Sequence, residues 1–238
     1  MIKHWVMLFF IHEFLKSLYQ HALLVFDLKT QQWQWDIDKI AALDIADNVV
    51  ELMAGKISLF SSETQTALKL GACIGSQFDL KTLSLIGQYS QSDTLSHLWA
   101  AIEAGLLLPL DDHYKSLETT GDKNSRFKFQ HDRIQQAAYS LIPEADKSAL
   151  HLKIGRLLLA NTAERDLEEH VFEIVNQLNS GQALITDDEE RITLVRLNLQ
   201  AGNKAKAGTA IHAAINYFSH GYHVVRCLGM AAVLFRSL

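Results

Sequence analysis

The sequence is poor in the residues that make small, stapled or many-turned folds. Cys73 and Cys227 are the only cysteines in 238 residues, which excludes a disulfide framework. Proline occurs twice, at Pro109 and Pro143, too rarely for a loop-rich or many-stranded β fold and in keeping with a mostly helical chain. Positive charge is not in excess: 22 Lys and Arg face 27 Asp and Glu, a net of −5. That balance offers little to nucleic acid or to an anionic membrane. No apolar run is long enough to span a bilayer. Residues 2–14 (IKHWVMLFFIHEF) begin like a signal peptide, but His4, His12 and Glu13 interrupt the run and no small-residue cleavage site follows. The expectation is a buried helix in a cytoplasmic protein without membrane contact.

The chemistry-bearing motifs are equally sparse. There is no G-x-x-x-x-G-K-[ST], no G-x-S-x-G, and no cysteine with a partner at catalytic spacing. His212, His220 and His223 lie close in sequence, but no Cys or carboxylate completes a plausible set of four metal ligands. Leu23–Asp27 (LLVFD) has the look of a strand ending in a magnesium-binding aspartate; without a phosphate loop before it, an ordinary hairpin strand is the better reading.

What is present is hydrophobic content, 48% of residues, arranged mainly at helical spacing. Val6, Phe10, Phe14 and Leu18 mark a first helix, and Leu23–Phe26 with Trp33–Trp35 a hairpin. Helices follow at 47–57, 61–74, 79–88 and 91–105, with Ser61 as an N-cap and Gly105 as a C-cap. Strands at 106–110 and 126–130 flank a polar stretch at 111–125, and a helix covers 131–142. Three short helices followed by a long-looped hairpin outline a winged helix. After Pro143 everything reads helical, at 144–160, 166–180, 187–202 and 204–220, as a solenoid-like arm. The fold class expected is mainly α: a winged-helix domain with small β-hairpins, then a tetratricopeptide-like helical arm.

A winged helix invites a DNA-binding reading, and the charges oppose it. Residues 47–143 hold 8 basic and 11 acidic residues. The recognition-helix candidate, Gln91 to Gly105, has Asp93 and Glu103 and neither Lys nor Arg. The stretch FKFQHDRIQQAAYSLI, from Phe127, carries more information. Phe127 and Phe129 alternate as a strand, the chain turns into a helix at His131-Asp132, and Ile134, Ala137, Ala138 and Leu141 make the buried helix face. Asp132 suits the positive end of the helix dipole. His131 stands at the junction, where a side chain is aimed out of the module; its alternative is a capped corner with a core-facing histidine.

An ordered series of segments carries a resemblance: FIHEFLKSLYQHALLVFD, WQWDIDKI, DNVVELMAGKI, TALKLGACIGSQFDLKTL, LWAAIEAGLLLPL, FKFQHDRIQQAAYSLIPE, HLKIGRLLL, VFEIVNQLNSG and RLNLQAGNKAKA, spread over about residues 9 to 220. The chain resembles the C-terminal part of STAND-type ATPases, signal-transduction relatives of the AAA+ class, in the form found in bacterial multi-sensor serine/threonine and histidine kinases. The resemblance implies the end of the ATPase lid plus a hairpin at 1–46, the winged helix at 47–143, a tetratricopeptide-like arm at 144–221 and an atypical tail at 222–238. It also implies that His131, oriented by Asp132, is similar to a nucleotide-sensing histidine that contacts the β-phosphate of bound ADP and holds a closed state. The implied role is regulatory, not catalytic alone, within a parent ATPase or protein kinase. No cofactor belongs to this chain alone; ATP or ADP with Mg belongs to the parent. Its implied partners are an upstream nucleotide-binding domain, neighbouring kinase or sensor domains, and proteins docking on the arm, without nucleic acid. Met7-Leu8 stand where the family has Asn-Pro, and from about Tyr222 the likeness ends, so a fragment of a longer protein is expected. The alternatives are a stand-alone protein-interaction scaffold and a winged-helix DNA-binding regulator.

Overall fold

The structure is a computed structural model; it describes residues 11, 14–16, 18, 19, 22–42, 45–113 and 125–227. These fall into two compact units, one ending at Ile142 and the other beginning at Pro143. The fold is mainly α with small β-hairpins.

In the first unit, the described residues of the expected first helix are helical, and the rest of 6–18 lies outside the described residues. Two strands follow, β1 (Leu24–Asp27) and β2 (Gln32–Trp35), paired antiparallel with Leu24 opposite Trp35 and Asp27 opposite Gln32. Helices α1 (Ile37–Ala42) and α2 (Ile45–Ile57) come next; α2 starts ahead of the boundary drawn at residue 47. Met53 and Ile57 on α2 are fully buried, with Val49 and Val50 beside them, the face that the spacing marks.

Helix α3 (Ser62–Ile74) is capped by Ser61, whose Oγ accepts from the Thr64 N–H at 3.2 Å. A short strand β3 (Gln77–Asp79) leads into α4 (Leu80–Gly87), and Ser90 caps α5 (Gln91–Glu103). Ala104 is the C-cap of α5, and Gly105 just beyond it takes φ +70°, the left-handed turn that sends the chain into β4 (Leu107–Pro109). Strand β5 (Arg126–Phe129) then lies between the other two, giving the antiparallel order β3-β5-β4. Of the polar stretch 111–125, residues 114–124 lie outside the described residues. Helix α6 (Asp132–Ser140) closes the unit. The core joins Met53, Leu68, Phe78, Leu80, Leu83, Leu98, Leu107, Phe127 and Ile134, at least one residue from each of α2 to α6 and β3 to β5.

Strand β3 has no counterpart in the sequence reading. Three residues are too few to display a period of two, and the strand exists because β5 lies beside it, with Phe78 opposite Phe127.

The second unit consists of α7 (Glu144–Asn161), α8 (Leu167–Ser180), α9 (Asp188–Ala207) and α10 (Ile211–Cys227), each packed chiefly on its sequence neighbours. Val171, Ile174, Leu178, Leu194, Leu197 and Ala201 form its core. Arg156 of α7 makes two 2.7 Å bonds to the Glu190 carboxylate of α9. Asn179 and Asn198 exchange amide hydrogen bonds at 2.8 and 2.9 Å inside the core, joining α8 to α9.

Two expectations are corrected here. The helix break placed between residues 202 and 204 falls instead at Gly208–Ala210, because Gly202 is an interior residue of α9. A Cβ at Gly202 would overlap the Phe218 ring, so this glycine admits close approach of α10 and does not end a helix. The helix read as ending at residue 220 is also longer: α10 continues to Cys227, with Val224 and Val225 buried.

Candidate functional site

Alternation along β5 puts Phe127 and Phe129 into the core and leaves Arg126 and Lys128 on the other face. Both sides of the strand's end are tied. The Phe129 N–H donates to Ser76 O at 3.0 Å, and the Gln130 N–H to Leu106 O at 3.0 Å. One residue later the chain enters α6, which is fixed by the buried Ile134, Ala137 and Ala138 and by a 3.1 Å bond from the Gln135 side chain to Ala72 O on α3. His131 is thus an extended residue (φ −151°, ψ 150°) between two elements packed into the core.

His131 is the N-cap of α6. Its carbonyl accepts from the Ile134 N–H at 3.0 Å, and ring Nδ1 accepts from the Arg133 N–H at 3.2 Å. The histidine stands exposed at the corner between β5 and α6. The corner is capped, and the histidine is not core-facing. Asp132 is also exposed, at the first position of the helix, where its carboxylate complements the exposed backbone N–H groups. The contact that sequence reasoning missed is Arg133: its backbone N–H holds the ring, while its guanidinium turns away to Gln136 Oε1 at 2.8 Å.

The other candidates occupy ordinary structural positions. Asp27 ends β1 and organises the hairpin turn, its Oδ1 accepting from the Lys29 N–H at 2.8 Å and its Oδ2 from the Gln34 amide at 3.0 Å. The Lys29 bond is the chief reason that its carboxyl lies below the ordinary aspartate value. The outer face of α5 carries Asp93, Trp99 and Glu103, with the indole N–H donating to Glu103 at 2.8 Å, and no cation. His212, His220 and His223 all lie on α10. Among the described residues, no group of three His, Cys, Asp or Glu is placed to hold a metal ion, and no helix is long and apolar enough to cross a membrane. An apolar cavity of about 690 Å³ lies between the first helix and the hairpin, against Leu18, Tyr19, Leu24, Trp33 and Trp35.

Comparison with known proteins places this geometry in context. Over 250 aligned residues the chain is 31% identical to "Hybrid signal transduction histidine kinase G" of Dictyostelium discoideum. The alignment takes in 88% of this chain and 7% of that protein, so the chain corresponds to a small part of its relative's length. No family model matches the chain, and no solved structure matches it.

Proposed function

We propose that this chain is a regulatory module of a multidomain signalling kinase, equivalent to the winged-helix and helical-arm half of a STAND-type ATPase. The observation that carries the reading is the 31% identity to a hybrid signal transduction histidine kinase, sustained through 88% of the chain. On this reading the nucleotide and its magnesium belong to a neighbouring domain, and the module closes over them. The helix–strand–helix–helix–strand–strand order from α3 to β5, with strand order β3-β5-β4, supports the winged-helix assignment. A recognition-helix position without a cation supports its use as a packing unit and not as a reader of DNA.

His131 supplies the coupling. Serine, aspartate or asparagine would cap α6 better than histidine, so helix stability alone does not account for the residue. What histidine adds is the Nε2–H donor on a rigid corner. A donor that reaches the β-phosphate of ADP in one domain arrangement only stabilises that arrangement by its differential contact, which is the requirement for shifting a population. The partners that follow are the nucleotide-binding domain, the adjoining kinase or sensor domains, and proteins that bind the arm.

The test is ADP release from the chain assembled with its nucleotide-binding domain. His131→Ala is expected to speed release by about tenfold or more, the scale of one hydrogen bond to a charged group. His131→Asn, which keeps the cap, is expected to lose ADP comparably. Unchanged release in both variants overturns the nucleotide-sensing role. A scaffold that binds proteins without nucleotide is the second reading, favoured by a polar groove on the arm lined by Asn176, Asn179, Ser180, Asn216, Tyr217 and His220.

A further inference from the structure

The segment that ends α3 holds the His131 corner from both sides. Ala72 lies in the last turn of that helix, and Ser76 lies just beyond its end. The Gln135 side chain donates to Ala72 O at 3.1 Å, and the Phe129 N–H donates to Ser76 O at 3.0 Å. One donor precedes His131 in the chain and the other follows it, so residues 72–76 fix both where β5 stops and where α6 starts. The segment is itself seated on the core. A Cβ at Gly71 would stand 2.8 Å from the Phe78 ring, and that ring packs against Phe127 and Phe129, with centroids 6.1 and 5.7 Å apart.

The two bonds differ in kind. Any residue but proline at position 129 would make the first from its backbone, whereas the second needs a particular side chain. Helix formation does not ask for that side chain, because glutamine, methionine and lysine have nearly equal helix propensity. Its use lies at the end of α3, where the last carbonyls have no partner within the helix. Ala72 is buried and Gln135 half-buried. Ile134, Ala137 and Ala138 press α6 into the core, but apolar contact is non-directional and does not fix the rotation of a helix about its axis. A directed bond does. Gln135 also donates its main-chain N–H to His131 O at 3.4 Å, so this one residue joins the histidine to α3.

We propose that Gln135 is the positioning residue for His131: it sets the direction in which the ring leaves the corner. The inference deepens the reading of His131 as the contact to ADP, and rests on it, by naming the residue through which that contact is held. A hydrogen bond weakens steeply with angle, so a ring that is free to swing with the first turn of α6 holds a phosphate less well.

ADP release from the chain assembled with its nucleotide-binding domain is measured for Gln135→Met, which keeps length and helix propensity but has no donor, and for Gln135→Lys, which keeps a donor. Gln135→Met is expected to speed release about three- to tenfold, the worth of one neutral hydrogen bond, and Gln135→Lys to recover most of that loss. Combined with His131→Ala, Gln135→Met is expected to change release no further, whereas a general loosening of the fold would add in full. A second measurement needs no nucleotide. In the 238-residue chain the Arg133 amide, which donates to the His131 ring, is expected to exchange with solvent several-fold faster in Gln135→Met, with protection kept in α5. The proposal is overturned if Gln135→Met releases ADP as the parent does while His131→Ala releases it faster, if the two substitutions add, or if Arg133 exchange is unmoved. Unchanged release in both His131→Ala and His131→Asn instead overturns the sensing reading, and the positioning role with it, so the two failures are distinct.

Discussion

On the proposed function His131 carries two roles in one ring, one on each nitrogen. Nδ1 completes the α6 cap by accepting from the Arg133 N–H, and on that reading Nε2 is the atom that meets the nucleotide. The two are separable by substitution. His131→Ala removes the cap acceptor and is expected to cost about 1 kcal/mol of stability in a urea melt. His131→Asn supplies a carboxamide oxygen at the same position and is expected to restore that stability or exceed it. If Asn were as damaging as Ala, the ring would be held by something other than the cap. The pair also frees the nucleotide experiment from a stability artefact, since Asn lacks the Nε2 donor but keeps the helix start.

The helices of the second unit meet closely because particular positions have no side chain in the way. At Gly202 the Phe218 ring of α10 rests against the backbone of α9. At Gly181, following α8, an added Cβ would lie 2.6 Å from Leu152 Cβ and 2.8 Å from Ser148 O on α7. Glycine inside a helix costs about 1 kcal/mol relative to alanine, so Gly202 is retained against local propensity. Gly202→Ala is expected to destabilise the arm by about 1–3 kcal/mol, overpacking outweighing the gain in helix propensity. A thermal melt of Gly202→Ala with Phe218→Leu is expected to recover part of the loss, because a smaller side chain vacates the space. A melt of the single variant above that of the parent would mean that α9 and α10 do not meet as described.

At the scale of the whole molecule, the two units have separate hydrophobic cores, one centred on Phe127 and Leu98, the other on Val171 and Leu197. Phe127 is fully buried, packed beside Phe78 and opposite Pro109 on β4. Phe127→Ala is expected to cost about 3–5 kcal/mol in the first unit. Amide hydrogen exchange then locates the loss. Protection is expected to fall through α3, α5 and β5 and to hold in α8 and α9. Equal loss in both units would make them one cooperative body.

Periodicity and capping chemistry are local, and here they are reliable. The spacing of Val49, Val50, Met53 and Ile57 determined the buried face of α2, Ser61 the start of α3, and Phe127 with Phe129 the face of β5. The strand-to-helix corner at His131 was legible for the same reason: period two changes to helical spacing at that residue. Contacts between segments distant in sequence leave no such trace. Strand β3 forms only because β5 lies against it, and Gly202 reads as a helix end until Phe218 is seen beside it. The sequence by itself determined which residues are apolar and at what interval; the packing decided which of them meet, since burial and hydrogen bonding are properties of a neighbourhood that the chain order does not contain.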